Sequence, residues 1–159
     1  MLNSYEKLLD TASANGLSVI ERYDLSGTRL KGLYCDKTVA ISQDIESDTE
    51  RSCILAEELG HYYTSHGDII DLDTVGNRKQ ELQARIWAYN CQIGLCGIIQ
   101  AYKHGCQNLH DTADFLDVTE NFLMDALEQY HRHYGICAPV DNYVIFFEPA
   151  LIVMEKISD

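Results

Sequence analysis

Several absences set the limits of this chain. Nowhere in its 159 residues does an apolar run approach the ~18 residues needed to cross a bilayer. The longest, YVIFFEPALIVM at 143–154, is interrupted by Glu148 and Pro149. The opening MLNSYEKLLD has no basic start leading into an apolar stretch, as a secretory signal would, so the expected location is the cytoplasm. Prolines number only two, and no Pro/Gly-rich linker, low-complexity tract or internal repeat divides the chain. Its length suits one core, and a single domain over 1–159 is expected. Basic residues are scarce too: 12 Lys+Arg against 25 Asp+Glu give a formal charge of −13. Phosphate backbones are gripped by Lys/Arg patches, so neither nucleic acid nor membrane is an expected partner. A basic protein partner, or plain solubility, is favoured instead.

The six cysteines (Cys35, Cys53, Cys91, Cys96, Cys106 and Cys137) contain no tight C-x-x-C pair. Without a secretory signal they read as reduced, mostly buried thiols rather than disulfides. Cys91, Cys96, His104 and Cys106 can be grouped as a second zinc site, but their spacing lends that little support.

What is present reads as an α+β pattern. SYEKLLDTASANG (4–16) is a short amphipathic helix closed by Asn15-Gly16. LSVIERY, LKGLYCD and TVAIS follow as three short strands of a small sheet. Ser47-Asp48-Thr49-Glu50 matches a capping box and starts a helix over about 48–65, with Gly67 placed as its terminator. The polar link GDIIDLDTVGN leads to a second helix over about 78–91, and helical segments occupy much of 94–104 and 111–134. The chain closes on two strand-like runs, NYVIFF and ALIVME.

The chemistry concentrates in ILAEELGHYYTSHGD (54–68), which is H-E-x-x-H with its first histidine missing. In that zinc-peptidase motif the outer positions hold the metal and the inner glutamate takes a proton from water. The ligand slots here are Glu57 and His61, four apart and therefore on one helical face; the base slot is Glu58. A carboxylate oxygen is a legitimate zinc ligand. The third ligand is sought in RKQELQARIWAY (78–89), where Glu81 has the small Ala84 and Ala88 near its face. Glu81 can equally make a surface salt bridge to Arg85. Taken alone, E-E-x-x-H fits a solvated acidic face. The apolar setting of Leu55, Ala56, Leu59 and Gly60 favours groups that are paired or bound to metal.

CILAEELGHYYTSHGDI followed by RKQELQARIWAY resembles the ImmA/IrrE family of metallo-endopeptidases, often encoded by prophages and mobile elements. The family pattern is H-E-L-G-H, then a Glu three residues ahead of an Ala, with an aromatic-Ala pair after it. Glu81, Ala84 and Trp87-Ala88 match the second segment. The resemblance implies a zincin-like metallopeptidase domain, with a small N-terminal sheet packed on an active-site helix and mostly helices after it. It further implies a zincin-like core over 1–104 and a helical part over 105–159 ending in strand-like segments. It assigns His61 and Glu81 as metal ligands and Glu58 as general base, with Glu57 in the slot of the family's first histidine. Two carboxylates and one imidazole make a Zn²⁺ site neutral. Its water should then be less acidic than in good catalytic sites, and Mn²⁺ or Fe²⁺ more competitive. The implied substrate is a helix-turn-helix repressor of the same mobile element, cleaved to derepress genes. The alternatives are a silent pseudo-peptidase that sequesters a regulatory protein and, on charge alone, an acidic DNA mimic.

Among the remaining residues, His66 is off the His61 face and reads as a surface or helix-end histidine. Tyr62 and Tyr63 are candidates for hydrogen-bonding an oxyanion, with packing expected for at least one. His131 and His133 suit the last turn of a helix. The span 111–130 outlines two helices joined at Val118-Thr119, with Thr119 as cap. Its six acids and no Lys or Arg argue against DNA docking and for a structural or protein-docking role.

Overall fold

The computed structural model describes residues 1–65 and 75–158. The expected roles of His66 and Gly67 lie outside the described residues. Two compact units divide the chain, Met1–Ala88 and Tyr89–Asp159. Among the described residues no helix is long and apolar enough to cross a membrane.

The first unit opens with α1 (Ser4–Ala14), capped by Asn3. The Asn3 side chain accepts from the Glu6 amide at 2.8 Å, and Glu6 accepts from the Asn3 amide at 2.9 Å. Three strands follow: β1 (Ser18–Tyr23), β2 (Gly32–Cys35) and β3 (Thr38–Ser42). Their order is β1-β3-β2, with β1 parallel and β2 antiparallel to β3. β3 is therefore central, and Val39 and Ile41 are fully buried. β2 is an edge strand.

α2 (Asp48–Thr64) packs on this sheet and on α1. Its buried residues run from Arg51 through Ala56, then Leu59 and Gly60, so most of its circumference is covered. Ser47 caps it as expected, accepting from the Glu50 amide at 3.3 Å. The Glu50 carboxylate, however, pairs with Lys31 at 2.9 Å. The buried Arg51 guanidinium ties the helix start to the chain leaving the sheet. It donates to the Ile45 carbonyl at 2.8 and 3.1 Å and to Asp48 at 3.1 Å.

α3 (Val75–Gln92) begins three residues earlier than the sequence pattern indicates, so Gly76-Asn77, read there as part of a link, is helical. Gly60 of α2 lies against the α3 backbone: a Cβ placed on Gly60 would stand 2.2 Å from the Ala84 carbonyl oxygen. Ala84 and Ala88 are both fully buried.

The second unit contains α4 (Gly94–His104), α5 (Leu109–Leu116), α6 (Glu120–Tyr134) and an antiparallel sheet of β4 (Cys137–Val140), β5 (Tyr143–Phe146) and β6 (Ile152–Glu155) in that order. Thr119 caps α6, accepting from the Phe122 amide at 3.1 Å. His131, in its last turn, pairs with Glu148 at 3.1 Å. β4 was not legible as a strand because Pro139 sits inside it. An edge position makes that proline tolerable, since its nitrogen needs no ladder partner.

All six cysteines are free, but the expectation that most are buried is corrected: only Cys53 is, while Cys35, Cys91 and Cys96 are exposed. Cys35 falls on the outward phase of β2, whose burial alternates residue by residue.

Candidate active site

Four acidic or imidazole groups of the first unit meet where α2 and α3 approach. α2 supplies Glu57, Glu58 and His61; α3 supplies Glu81. The approach depends on Gly60 and Ala84, because any larger residue at 60 would push the α3 backbone away. His61 Nε2 lies 3.2 Å from Glu81 Oε2. The other oxygen of the same carboxylate, Oε1, lies 3.5 Å from Arg85 Nε. Glu81 thus makes the expected salt bridge to Arg85 with one oxygen and meets His61 with the other.

Glu58, His61 and Glu81 are held away from their ordinary states. Burial pushes the Glu58 carboxyl up to about 7; neighbouring His61 pulls it down, Glu57 and Glu81 add to the rise, and the Tyr34 backbone N–H opposes it. The hydrogen bond to Glu81 raises the His61 pKa, against partial burial, with the charges of Glu58, Glu81 and Glu57 assisting. That bond, with the His61 and Arg85 charges, holds the Glu81 carboxyl below its ordinary range.

The donors meet the requirements of a metal in part. Two ligands of one tetrahedral ion, each ~2.0 Å from it, are separated by about 3.3 Å, close to the His61–Glu81 distance. Both also present deprotonatable donors of the right kind. Among the described residues, no group of three or more His, Cys, Asp or Glu side chains stands in a metal-holding arrangement. Glu57 acts electrostatically on His61 and Glu58. The grouping of Cys91, Cys96, His104 and Cys106 finds no support in that arrangement either.

Aromatic rings flank the site. Tyr63 stacks on Trp87 with centroids 4.7 Å apart and accepts at its hydroxyl from Asn15 at 2.8 Å, a packing role. Tyr62 is edge-on to both Tyr34 and Tyr63. Gly32, whose bare backbone lies against Glu58 from β2, carries no signal in the local sequence. The pairing of β2 with β3 and its packing on α2 bring it there.

An α+β unit thus brings a half-buried glutamate and a His–Glu pair together across two helices. The chain belongs to the IrrE N-terminal-like domain family of peptidases, whose model it matches over residues 13–128. That membership assigns metallopeptidase as the class of activity. No curated protein and no solved structure matches the chain. The matched region ends within α6, so β4, β5 and β6 lie outside it.

Proposed function

We propose that the chain is a metal-dependent endopeptidase in which His61, Glu81 and Glu57 hold the ion and Glu58 is the general base. The observation that carries this reading is the 3.2 Å pairing of His61 with Glu81 beside a glutamate whose carboxyl burial pushes up to about 7. When bound, a Zn²⁺ ion supplies Lewis acidity to a scissile carbonyl and to a water. Glu58, with its pKa near neutrality, is matched to accept a proton from that water and return it to the leaving amine. Arg85 restrains one oxygen of Glu81 and leaves the other for His61 or the ion. The oxygen-rich donor set makes Mn²⁺ and Fe²⁺ competitive with Zn²⁺. The substrate proposed is a helix-turn-helix repressor of a prophage or mobile element. A basic DNA-binding protein is electrostatically complementary to a chain of net charge −13.

One observation favours a second reading, a pseudo-peptidase that binds and sequesters such a regulator: Glu57 stands where the motif has its first histidine. Metal analysis after reconstitution with Zn²⁺, Mn²⁺ or Fe²⁺, paired with an anomalous map, tests the first reading. Metal between Glu57, His61 and Glu81 supports the enzyme; a metal-free protein that still binds its regulator supports the binder. Glu58→Gln should lower cleavage by about 10²-fold or more while metal content and regulator binding persist. Unchanged cleavage would remove Glu58 from its role.

A further inference from the structure

We propose that the second unit carries a binding site for a small neutral amphiphile, a molecule with an apolar body and one hydrogen-bonding end. The site is a cavity of about 530 Å³, partly open to solvent, lined from α4, the α4–α5 turn, α5, α6 and the chain entering β6. It lies wholly within the second unit and is independent of the peptidase reading.

Two adjoining caps build part of the wall. Gly105 ends α4 in the left-handed conformation, φ 96°, and donates its amide to the Tyr102 carbonyl at 3.0 Å. Asn108 then opens α5, its side chain accepting from the Asp111 amide at 2.8 Å. Between the caps, Cys106 and Gln107 are held against the cavity. Ile98, Leu109 and Leu127 line it from the three helices, and Leu151 and Val153 from the β6 side. Residues 150–153 lie outside the stretch matched by the family model, so the complete cavity is not a feature of that domain alone.

The lining selects the ligand by charge. Charged residues make up 23% of the chain, yet none of the twelve lining residues, all of them among the described ones, is Asp, Glu, Lys, Arg or His. An ion entering there would lose water and meet no counter-charge, which is strongly unfavourable. Several polar groups are already engaged within the wall. The Thr112 hydroxyl donates to the Asn108 carbonyl at 2.9 Å, and Cys106 Sγ donates to the Asp111 carbonyl at 3.4 Å. The Tyr102 hydroxyl and the Gln107 carboxamide have no hydrogen-bond partner among the described residues. Both residues are exposed, which puts these two groups on the solvent side, with the Tyr102 ring held edge-on to Tyr143 at 6.3 Å. An apolar interior with a few placed polar groups, in a volume of this order, is the usual make-up of a small-molecule pocket.

The test titrates the full chain, in chelator, with two fluorescent probes that share one ring system. N-phenylnaphthylamine is neutral and carries a single N–H; anilinonaphthalene sulfonate adds a negative charge. The neutral probe should bind in one saturable step, and the sulfonate about tenfold or more weaker. Ala150→Trp, at an exposed lining position, should fill the cavity and weaken the neutral probe about tenfold. Tyr102→Phe removes one hydroxyl and should weaken it about two- to tenfold. The urea midpoint checks that both variants fold; should Ala150→Trp not, Ala150→Phe takes its place. Absence of a saturable step, or a step that ignores the substitution at 150, overturns the site and marks any signal as adsorption to exposed apolar side chains. Equal affinity for the two probes overturns the selection against charge. An unchanged affinity in Tyr102→Phe overturns the hydrogen-bonding end.

Discussion

At Gly60 a single hydrogen stands where a methyl group would meet the carbonyl oxygen of Ala84 at 2.2 Å. The obstacle is backbone inside a helix, not the end of a flexible side chain, so relief requires α3 to move as a whole. Gly60→Ala should therefore cost at least the ~1–3 kcal/mol typical of overpacking. It should also separate His61 from Glu81, now 3.2 Å apart. Urea denaturation measures the first effect and Zn²⁺ affinity the second; a stable variant with unchanged affinity would show the close approach to be dispensable. The same scale explains what the sequence could say about the site. Glu57, Glu58 and His61 follow from helical spacing, which is local. That Glu81 divides its oxygens between His61 and Arg85 depends on how two helices cross. The contact of Gly32 with Glu58 depends on a strand pairing, and spacing along the chain encodes neither.

Among the elements, helix starts were the most legible features because their signals sit within four residues. Ser47 and Thr119 both cap as their sequences indicate. Ser47→Ala should lower stability by about 1 kcal/mol, read as a shift in the urea midpoint. Lys31→Ala, which frees Glu50 from an exposed ion pair, should change it far less. The capping-box pattern joins Ser47 and Glu50 in one motif; the structure separates their roles, and reversed sensitivities would restore the motif. Elements set by distant partners were less legible. α3 extends to Val75 through Gly76-Asn77, a pair that local propensity assigns to a turn. β4 is a strand despite Pro139 because β5 supplies its partner on one side only.

Across the whole molecule, the site makes metal-free stability depend on pH. Glu58 rises from an ordinary 4.5 to about 7 on folding, so its contribution is fully present below 4.5 and is lost as pH climbs through 7. His61 is also raised, and its contribution likewise fades as pH rises through its folded value. Glu81 is lowered; its contribution is present above its ordinary value and is lost only as pH falls through the depressed one. Two of the three effects act together between about pH 5 and 8. The urea midpoint in chelator should fall steadily over that interval. Zn²⁺, which requires deprotonated donors, should restore it more at pH 8 than at pH 5. A midpoint flat from pH 5 to 8, with or without metal, would dissociate these shifts from folding.

The Gly60–Ala84 contact has an evolutionary consequence as well. A crowded pair of side chains can be rescued by shrinking one when the other grows, and such pairs leave a correlated trace in related sequences. Here the partner of position 60 is the main chain at 84, which no substitution makes smaller. A saturation library over both positions should show each column intolerant on its own, with no compensating double variants. Coupling statistics would pass over the junction that brings the two halves of the site together.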